Sequence, residues 1–377
     1  MRIGFDGKRA VQNFTGLGNY SRYVADILCH FYPENDYVLY APKKRENKRM
    51  NLLTGQYRQL TLAYPATSFW KKLSSLWRVW GITSQLEKEG IELFHGLSNE
   101  LPLNIHKSRI KSIVTIHDLI FLRYPQYYQS IDRKIYTYKF RKACENADKI
   151  IAISECTKRD IIRYFNIPDD KIEVVYQGCD VSFTHPVTEE KKEEVRKKYQ
   201  LPDHYILNVG SIEERKNILA AVQALPMLPQ HIHIVIVGRR TGYTEKVEQF
   251  IKDNGLGERV HIISNVPFND LPAFYQLAEI FVYPSRFEGF GIPIIEALYS
   301  GTPVVAATGS CLEEAGGPDS IYVNPDDITG LADAFKQIYS NSDKRKNMVE
   351  KGREFAKRFS EKQQSEEIIN IYKKLIR

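Results

Sequence analysis

The chain alternates short runs of apolar and β-branched residues with longer stretches of helical periodicity. In the first half the runs are Ile3–Phe5, Tyr37–Tyr40, Leu60–Tyr64, Ile91–Phe94, Ser112–Ile116, Ile150–Ile153 and Glu173–Tyr176. In the second half they are Tyr205–Val209, His233–Val237, Val260–Ile263, Ile280–Tyr283, Pro303–Ala306 and Ile321–Val323. Most are continuous in Ile, Val and Tyr rather than alternating. Strands buried on both faces have that character, and such strands belong to parallel sheets covered by helices. Two α/β layered halves are therefore predicted.

The most charged stretch, Thr184–Gln200, ends Glu-Glu-Lys-Lys-Glu-Glu-Val-Arg-Lys-Lys-Tyr before Gln200 and predicts a solvated helix leading out of a linker. It sets the expected organisation: a first domain over 1–183, a linker over 184–203 and a second domain over 204–377. Within Ser360–Arg377, Ile368, Ile369, Tyr372 and Leu375 recur at helical spacing. A final helix packing back on the structure, with crossing to both domains open, is expected there.

The chemistry concentrates after the run Ile280–Tyr283, in Pro284-Ser-Arg-Phe-Glu-Gly-Phe-Gly-Ile-Pro-Ile-Ile-Glu-Ala-Leu298. Its glycines allow a sharp turn and close approach of backbone to a ligand, and Pro293 suits the first turn of a helix. Gly301-Thr-Pro303 is a terminator. A strand, a glycine loop and a helix start place backbone N–H groups at the carboxyl edge of a sheet, where phosphates bind. Glu288 precedes the helix and Glu296 lies about a turn inside it, so they serve different parts of one ligand. Either glutamate alone would read as an ordinary cap.

The whole run, with its Pro-Ser and the following Gly-Thr-Pro-Val-Val305, resembles the E-x7-E segment of retaining glycosyltransferase family 4. That resemblance implies the GT-B fold: two facing Rossmann-like domains with mainly parallel sheets. It assigns Glu288 to the donor sugar's hydroxyls, the amides of Gly289, Phe290, Gly291 and Ile292 to sugar and phosphate, and Glu296 to the ribose. A carboxylate accepts two hydrogen bonds from a vicinal diol, so the assignment is physically reasonable. In Gly210-Ser-Ile-Glu-Glu-Arg-Lys-Asn217, Arg215 and Lys216 match the family's diphosphate-neutralising pair, with Gly210 and Ser211 beside them. Gly238, Arg239 and Val266 fall where the family lines its base pocket, although ordinary strand-to-helix turns explain them equally. In the first half, Gly16 and Gly18 of Thr15-Gly-Leu-Gly-Asn19 match a glycine loop that the family places against the donor phosphates and the acceptor. His117, in Thr115-Ile-His-Asp118, matches a histidine that reaches the donor sugar; read by itself it is more often a satisfied structural residue.

The resemblance spans nearly the whole chain, is strong in the second half and looser in the first, and is nearest to a mannosyltransferase-like branch of polysaccharide assembly. It implies transfer of a hexose, with GDP-mannose or a UDP-sugar as donor, to a glycan or lipid-linked acceptor. No Asp-x-Asp occurs, so no divalent metal and no other cofactor is expected. A related epimerase or phosphorylase, or a non-catalytic nucleotide-sugar binder, stays open.

Composition adds limits. The 377 residues are 43% apolar and carry a net charge of +7, which suits phosphate-bearing ligands without requiring them, and gives no indication of nucleic acid as a partner. Five scattered cysteines without C-x-x-C spacing argue for a reducing compartment, and no signal segment or spanning run is seen, so a cytoplasmic enzyme is expected. All three tryptophans, Trp70, Trp77 and Trp80, fall in Phe69–Trp80, where one helix would place them with Leu73 on a single face. That face either packs on the first sheet or lies in a membrane interface at the inner face.

Overall fold

The computed structural model describes residues 1–14 and 16–376, so Thr15 of the glycine loop and the terminal Arg377 lie outside the described residues. The chain divides into two compact units, Met1–Tyr176 with Glu361–Arg377, and Gln177–Ser360.

The first unit holds β1 (Arg2–Asp6), β2 (Asp36–Tyr40), β3 (Leu60–Ala63), β4 (Leu93–Gly96), β5 (Lys111–Ile116), β6 (Lys149–Ala152) and β7 (Ile172–Val174). They form one sheet in the order β3-β2-β1-β4-β5-β6-β7, and every pairing is parallel. The second unit holds β8 (Tyr205–Val209), β9 (His233–Val237), β10 (Val260–Ile263), β11 (Ile280–Tyr283), β12 (Val304–Ala307) and β13 (Ile321–Val323), in the parallel order β10-β9-β8-β11-β12-β13. Both sheets are doubly wound, and each apolar run of the sequence overlaps a strand. The largest shift is β4, which starts at Leu93 because its register against β5 pairs Leu93 with Lys111.

Helices cover both sheet faces. Helix Gly16–Phe31 buries Tyr20, Val24 and Leu28 in the same core as Ile3, Phe5 and Leu39. The last helix, Glu361–Ile376, joins this core through Ile368, Ile369 and Tyr372. The segment expected as a linker carries the helix Glu189–Tyr199, which is docked within the second unit. Lys191 (2.8 Å), Lys198 (2.7 Å) and the Tyr199 hydroxyl (2.8 Å) all converge on the buried Asp270. Burial alone would raise that carboxyl, but these bonds outweigh it and hold it at about 2.

The tryptophan segment departs from the expected single face. It is broken into Ser68–Lys72, Ser74–Leu76 and a π-helical turn, Trp77–Gly81. Trp77 is fully buried and its indole N–H donates to Gln85 Oε1 (3.1 Å). Trp70 packs over Gly81, where even a Cβ would come within 2.6 Å of the ring. Trp70 is half-buried and Trp80 is exposed, at 49%, as are Phe69, Leu73 and Leu76. The break at Leu73 and the wide π turn separate an inward stripe from this outward one. No helix among the described residues is long and apolar enough to cross a membrane.

Candidate functional site

In the second unit the site is built on the carboxyl ends of β8 and β11. The loop after β11 ends at Gly291, whose φ of 133° is glycine territory, and helix Ile292–Ser300 begins there with Pro293 in its first turn. The helix stops at Gly301, in the left-handed region (φ 78°), as the terminator predicts. The loop after β8 bends at Gly210 (φ 153°) and passes through a 3₁₀ turn, Glu214–Lys216, to the left-handed Asn217. Arg286 N–H donates to Arg215 O (2.9 Å), so the two loops are tied by backbone.

That tie brings Glu288, Arg215 and Lys216 together. Glu288 Oε2 lies 2.9 Å from Arg215 Nη1, and Oε1 lies 3.2 Å from Lys216 Nζ. Oε1 also accepts from the hydroxyls of Ser285 (2.8 Å) and Tyr283 (3.1 Å). Lys216 Nζ donates to Tyr283 OH (2.9 Å), and Arg215 Nη1 also donates to the Phe287 carbonyl. Burial would raise the Glu288 carboxyl, but the two cations and the Ser285 bond outweigh it and hold it at about 2. Burial likewise opposes charge on Arg215 and Lys216, and Glu288 more than restores it. The cluster is one fixed anion between two fixed cations, with acceptor lone pairs and N–H donors aimed from one place.

Glu296 sits a turn into the helix and accepts from Tyr275 OH (2.7 Å). Burial pushes its carboxyl up to about 7, the Tyr275 bond opposes this, and Asp180 adds to it. The two glutamates therefore differ in state: Glu288 is permanently ionised, whereas Glu296 titrates near neutrality.

The other residues singled out from sequence are placed as follows. A Cβ on Gly238 would lie 1.7 Å from Gly210 O, so these two glycines let the ends of β9 and β8 touch through backbone. Ser211 Oγ donates to Glu213 Oε1 (2.6 Å). Arg239 is 76% exposed, with Glu213 3.9 Å away. Val266 is half-buried and follows Asn265 in the left-handed region (φ 59°). Gly289 and Ile292 are half-buried at the loop and helix start. The Phe290 ring is core, packed edge-on to Phe359 at 5.5 Å, which leaves its backbone as the part able to meet a ligand.

In the first unit, His117 follows β5 and is buried. Its Nε2 bonds the Leu97 carbonyl (2.9 Å), its backbone N–H donates to Asn99 Oδ1 (2.7 Å), and the Tyr20 ring meets it edge-on at 4.7 Å. Burial holds the imidazole at about 4, against the Leu97 bond, so it is neutral at physiological pH. Beneath it runs a buried polar chain: Tyr372 OH to His95 Nδ1 (2.6 Å), His95 Nε2 to Thr115 Oγ1 (2.8 Å), and Thr115 Oγ1 to Tyr20 OH (3.3 Å). Gly18 is where helix Gly16–Phe31 rests on the preceding turn; a Cβ there would lie 2.0 Å from Asn13 O. Gly16 has open space around it and is exposed.

Sequence reasoning misses Tyr283, Tyr275, Asn99 and Cys311, whose thiol donates to the Glu288 (3.0 Å) and Phe290 (2.8 Å) carbonyls. Tyr283 carries a signal in hindsight, since it ends the strand that feeds the motif. Tyr275 carries none, because it reaches Glu296 from a separate helix, Leu271–Leu277.

The family described as "Glycosyl transferases group 1" matches residues 189–355, and "Glycosyltransferase Family 4" matches residues 21–183. The chain is 31% identical to O-antigen chain mannosyltransferase B of Escherichia coli over 289 residues, 75% of this chain and 74% of that one. It is 29% identical to O-antigen chain mannosyltransferase RfbU of Salmonella typhimurium over 225 residues, 60% of each chain. The crystal structure of Anabaena Alr3699/HepE in complex with UDP superposes with a TM-score of 0.78 at 18% identity, covering 100% of both chains. With two doubly wound parallel units and matches on both halves, the chain belongs to glycosyltransferase family 4, as a mannosyltransferase-like glycosyltransferase of the GT-B fold.

Proposed function

We propose that this glycosyltransferase moves a hexose, with retention at the anomeric carbon, from a nucleoside-diphosphate sugar to a glycan or lipid-linked acceptor in cell-surface polysaccharide assembly. Mannose from GDP-mannose is the first donor to test and a UDP-sugar the second. The observation that carries this reading is the Glu288–Arg215–Lys216 cluster beside the first turn of helix Ile292–Ser300, with Glu296 a turn further on. Two fixed cations and a helix start suit a diphosphate, Glu288 suits sugar hydroxyls and Glu296 suits a ribose diol. The names of the two O-antigen relatives and the UDP held by HepE support the substrate class.

In the reaction the bond from the anomeric carbon to the diphosphate oxygen breaks, and a bond to the acceptor oxygen forms on the same face. The acceptor's proton passes to the departing phosphate. Arg215 and Lys216 stabilise the negative charge that develops there, more in the transition state than in the ground state. Glu288 is committed to two cations and two hydroxyls, which argues against its serving as a covalent nucleophile. The resemblance extends donor contact to His117, Gly16 and Gly18. Incubation with each candidate donor, followed by NMR of the product's anomeric proton, tests the reading; inversion would overturn it. Turnover is expected to persist in EDTA, and loss restored by manganese would show that a metal is required.

Glu296 gives a pH prediction. Its carboxyl stands at about 7, above the ordinary 4.5, so its contribution to stability is present below about 4.5 and is lost as pH rises through about 7. Donor binding runs the other way, since the ionised group accepts from both ribose hydroxyls. Nucleoside-diphosphate affinity should rise between pH 6 and 8, roughly tenfold per unit at most, and Glu296→Gln should flatten the rise. Calorimetry showing the same slope in both proteins would remove Glu296 from the site, and Glu296→Ala should weaken donor binding more than it lowers kcat.

We also propose a cytoplasmic location with peripheral contact to anionic membrane. The support is the exposed stripe Phe69, Leu73, Leu76 and Trp80 beside Lys71 and Lys72. Co-sedimentation with phosphatidylglycerol vesicles should fall several-fold in Phe69→Ser with Trp80→Ser. Equal pelleting of variant and wild type would sink this attachment.

A further inference from the structure

In the first sheet β2 and β3 lie on one side of β1, and β4 and β5 on the other. The strand order therefore reverses between β1 and β4, and the loops beyond their carboxyl ends diverge around a crevice where ligands of such sheets bind. After β1 the chain turns at Gly7 straight into a short helix, Lys8–Gln12, whose first two residues, Lys8 and Arg9, stand at this edge. Gly7 is pinned to the sheet edge, its N–H donating to Tyr40 O (2.8 Å), and a Cβ there would meet Leu39 backbone at 3.1 Å. The loop after β4 contributes Glu100, and β5 delivers His117.

The charges at this edge do not balance. Arg78, from the buried π turn, is spent on Asp6 and on Glu100 Oε2 (2.6 Å), and Lys139 leans on the same Glu100 oxygen at 3.7 Å. Two carboxylates thus answer two cations. Lys8 and Arg9 are half-buried beside them, yet among the described residues neither makes an ion pair. Burial depresses the Lys8 ammonium, and the charges of Arg78 and Arg9 depress it further, only partly offset by Glu100 and Asp6. The positive charge of Arg9 also lowers the His117 imidazole slightly. Half-burying two adjacent cations with no carboxylate in ion-pair contact is costly, since Asp6 and Glu100 are already engaged by Arg78, and a bound anion would relieve the cost.

We propose that Lys8 and Arg9 form a subsite for an anionic group on the acceptor, a phosphate or a sugar carboxylate, at the β1–β4 crevice. The inference rests on the glycosyltransferase reading and deepens it: the acceptor is an acidic or phosphorylated glycan rather than a neutral one. Arg78, held by Asp6 and Glu100, backs the subsite without being consumed by it.

The test uses the full chain at constant ionic strength, with the donor site saturated by whichever nucleoside diphosphate gives the largest thermal shift. Mannose 6-phosphate, glucuronate and mannose are then titrated calorimetrically. At least one anionic sugar should bind about tenfold tighter than mannose, the scale of one charge-assisted contact. Preference for the phosphate or for the uronate identifies which acidic group the subsite takes. The advantage should vanish in Lys8→Gln with Arg9→Gln and survive in Lys8→Arg with Arg9→Lys, which keeps the charge and controls for folding. No anionic advantage in wild type overturns the inference, as does an advantage that the double glutamine variant retains. Loss of the nucleoside-diphosphate shift in that variant would assign the cations to the donor and overturn it too. A wild type that responds to no nucleoside diphosphate would instead fail the donor reading itself.

Discussion

Replacing Lys216 by alanine is expected to lower kcat by about 10²-fold or more while changing the affinity for nucleoside diphosphate far less, the usual consequence of removing one preorganised charge stabiliser. The fold explains why the loss falls on turnover. Lys216 is fixed by Tyr283 OH at 2.9 Å and Glu288 at 3.2 Å, so its charge is already aimed when the diphosphate begins to leave. Arg215 remains in the variant, 2.9 Å from Glu288, and keeps that carboxylate ionised and in place. The ground-state site therefore survives, and the missing interaction is the one that grows in the transition state. Lys216→Arg should recover part of the rate because the charge is retained. Steady-state kinetics with a saturating donor decide the matter; a kcat within a few-fold of wild type would dismiss Lys216 from the chemistry.

Removing Glu288 should produce the opposite pairing of effects. Glu288→Ala removes the nearest counter-ion of the mostly buried Arg215 and Lys216, leaving Arg215 only Glu213 at 3.7 Å, and breaking such a pair destabilises by about 3 kcal/mol. The protein should melt earlier, and sugar transfer should fall by roughly 10³-fold as the contact to the sugar hydroxyls is lost. A nucleoside diphosphate lacks the sugar, however, and its phosphates would now meet a Lys216 without a carboxylate partner and an Arg215 held only by the more distant Glu213 (3.7 Å). Its stabilising effect should consequently be larger in the variant than in wild type. A variant as stable as wild type, or one that binds nucleoside diphosphate more weakly, would contradict the ion-pair account of this site.

Both predictions depend on a cluster that is only partly legible in the chain. Glu288, Arg215 and Lys216 stand out in sequence because the runs that hold them resemble family 4 motifs; read alone, the glutamate passes as a cap and the pair as a solvated charged loop. Their meeting at Glu288 follows from strand order, since β8 and β11 are neighbours in the sheet although β9 and β10 intervene in the chain. The different states of the glutamates are not visible at all. Glu296 stands at about 7 because of burial, and its hydroxyl partner comes from a helix 21 residues upstream.

The tryptophan segment shows the same limit. Helical spacing groups Trp70, Trp77 and Trp80 on one face, yet a break at Leu73 and a π turn send Trp77 into the core and leave Phe69, Leu73 and Leu76 outside with Trp80. Nothing local reveals that Arg78 is needed inside by Asp6 and Glu100. At the chain end, helical periodicity identifies the last helix, but its place in the core of the first unit depends on the apolar surface of helix Gly16–Phe31 that it covers.

The sequence by itself determined the two parallel α/β units, the strand runs and the loop that carries Glu288 and Glu296, because hydrophobic period and glycine or proline punctuation act over a few residues. Tertiary structure alone decided which charges meet, which make no ion pair among the described residues at Lys8 and Arg9, and which carboxyl titrates near neutrality. Those properties come from burial and from neighbours remote in the chain, and both are created only when strands take their order in a sheet.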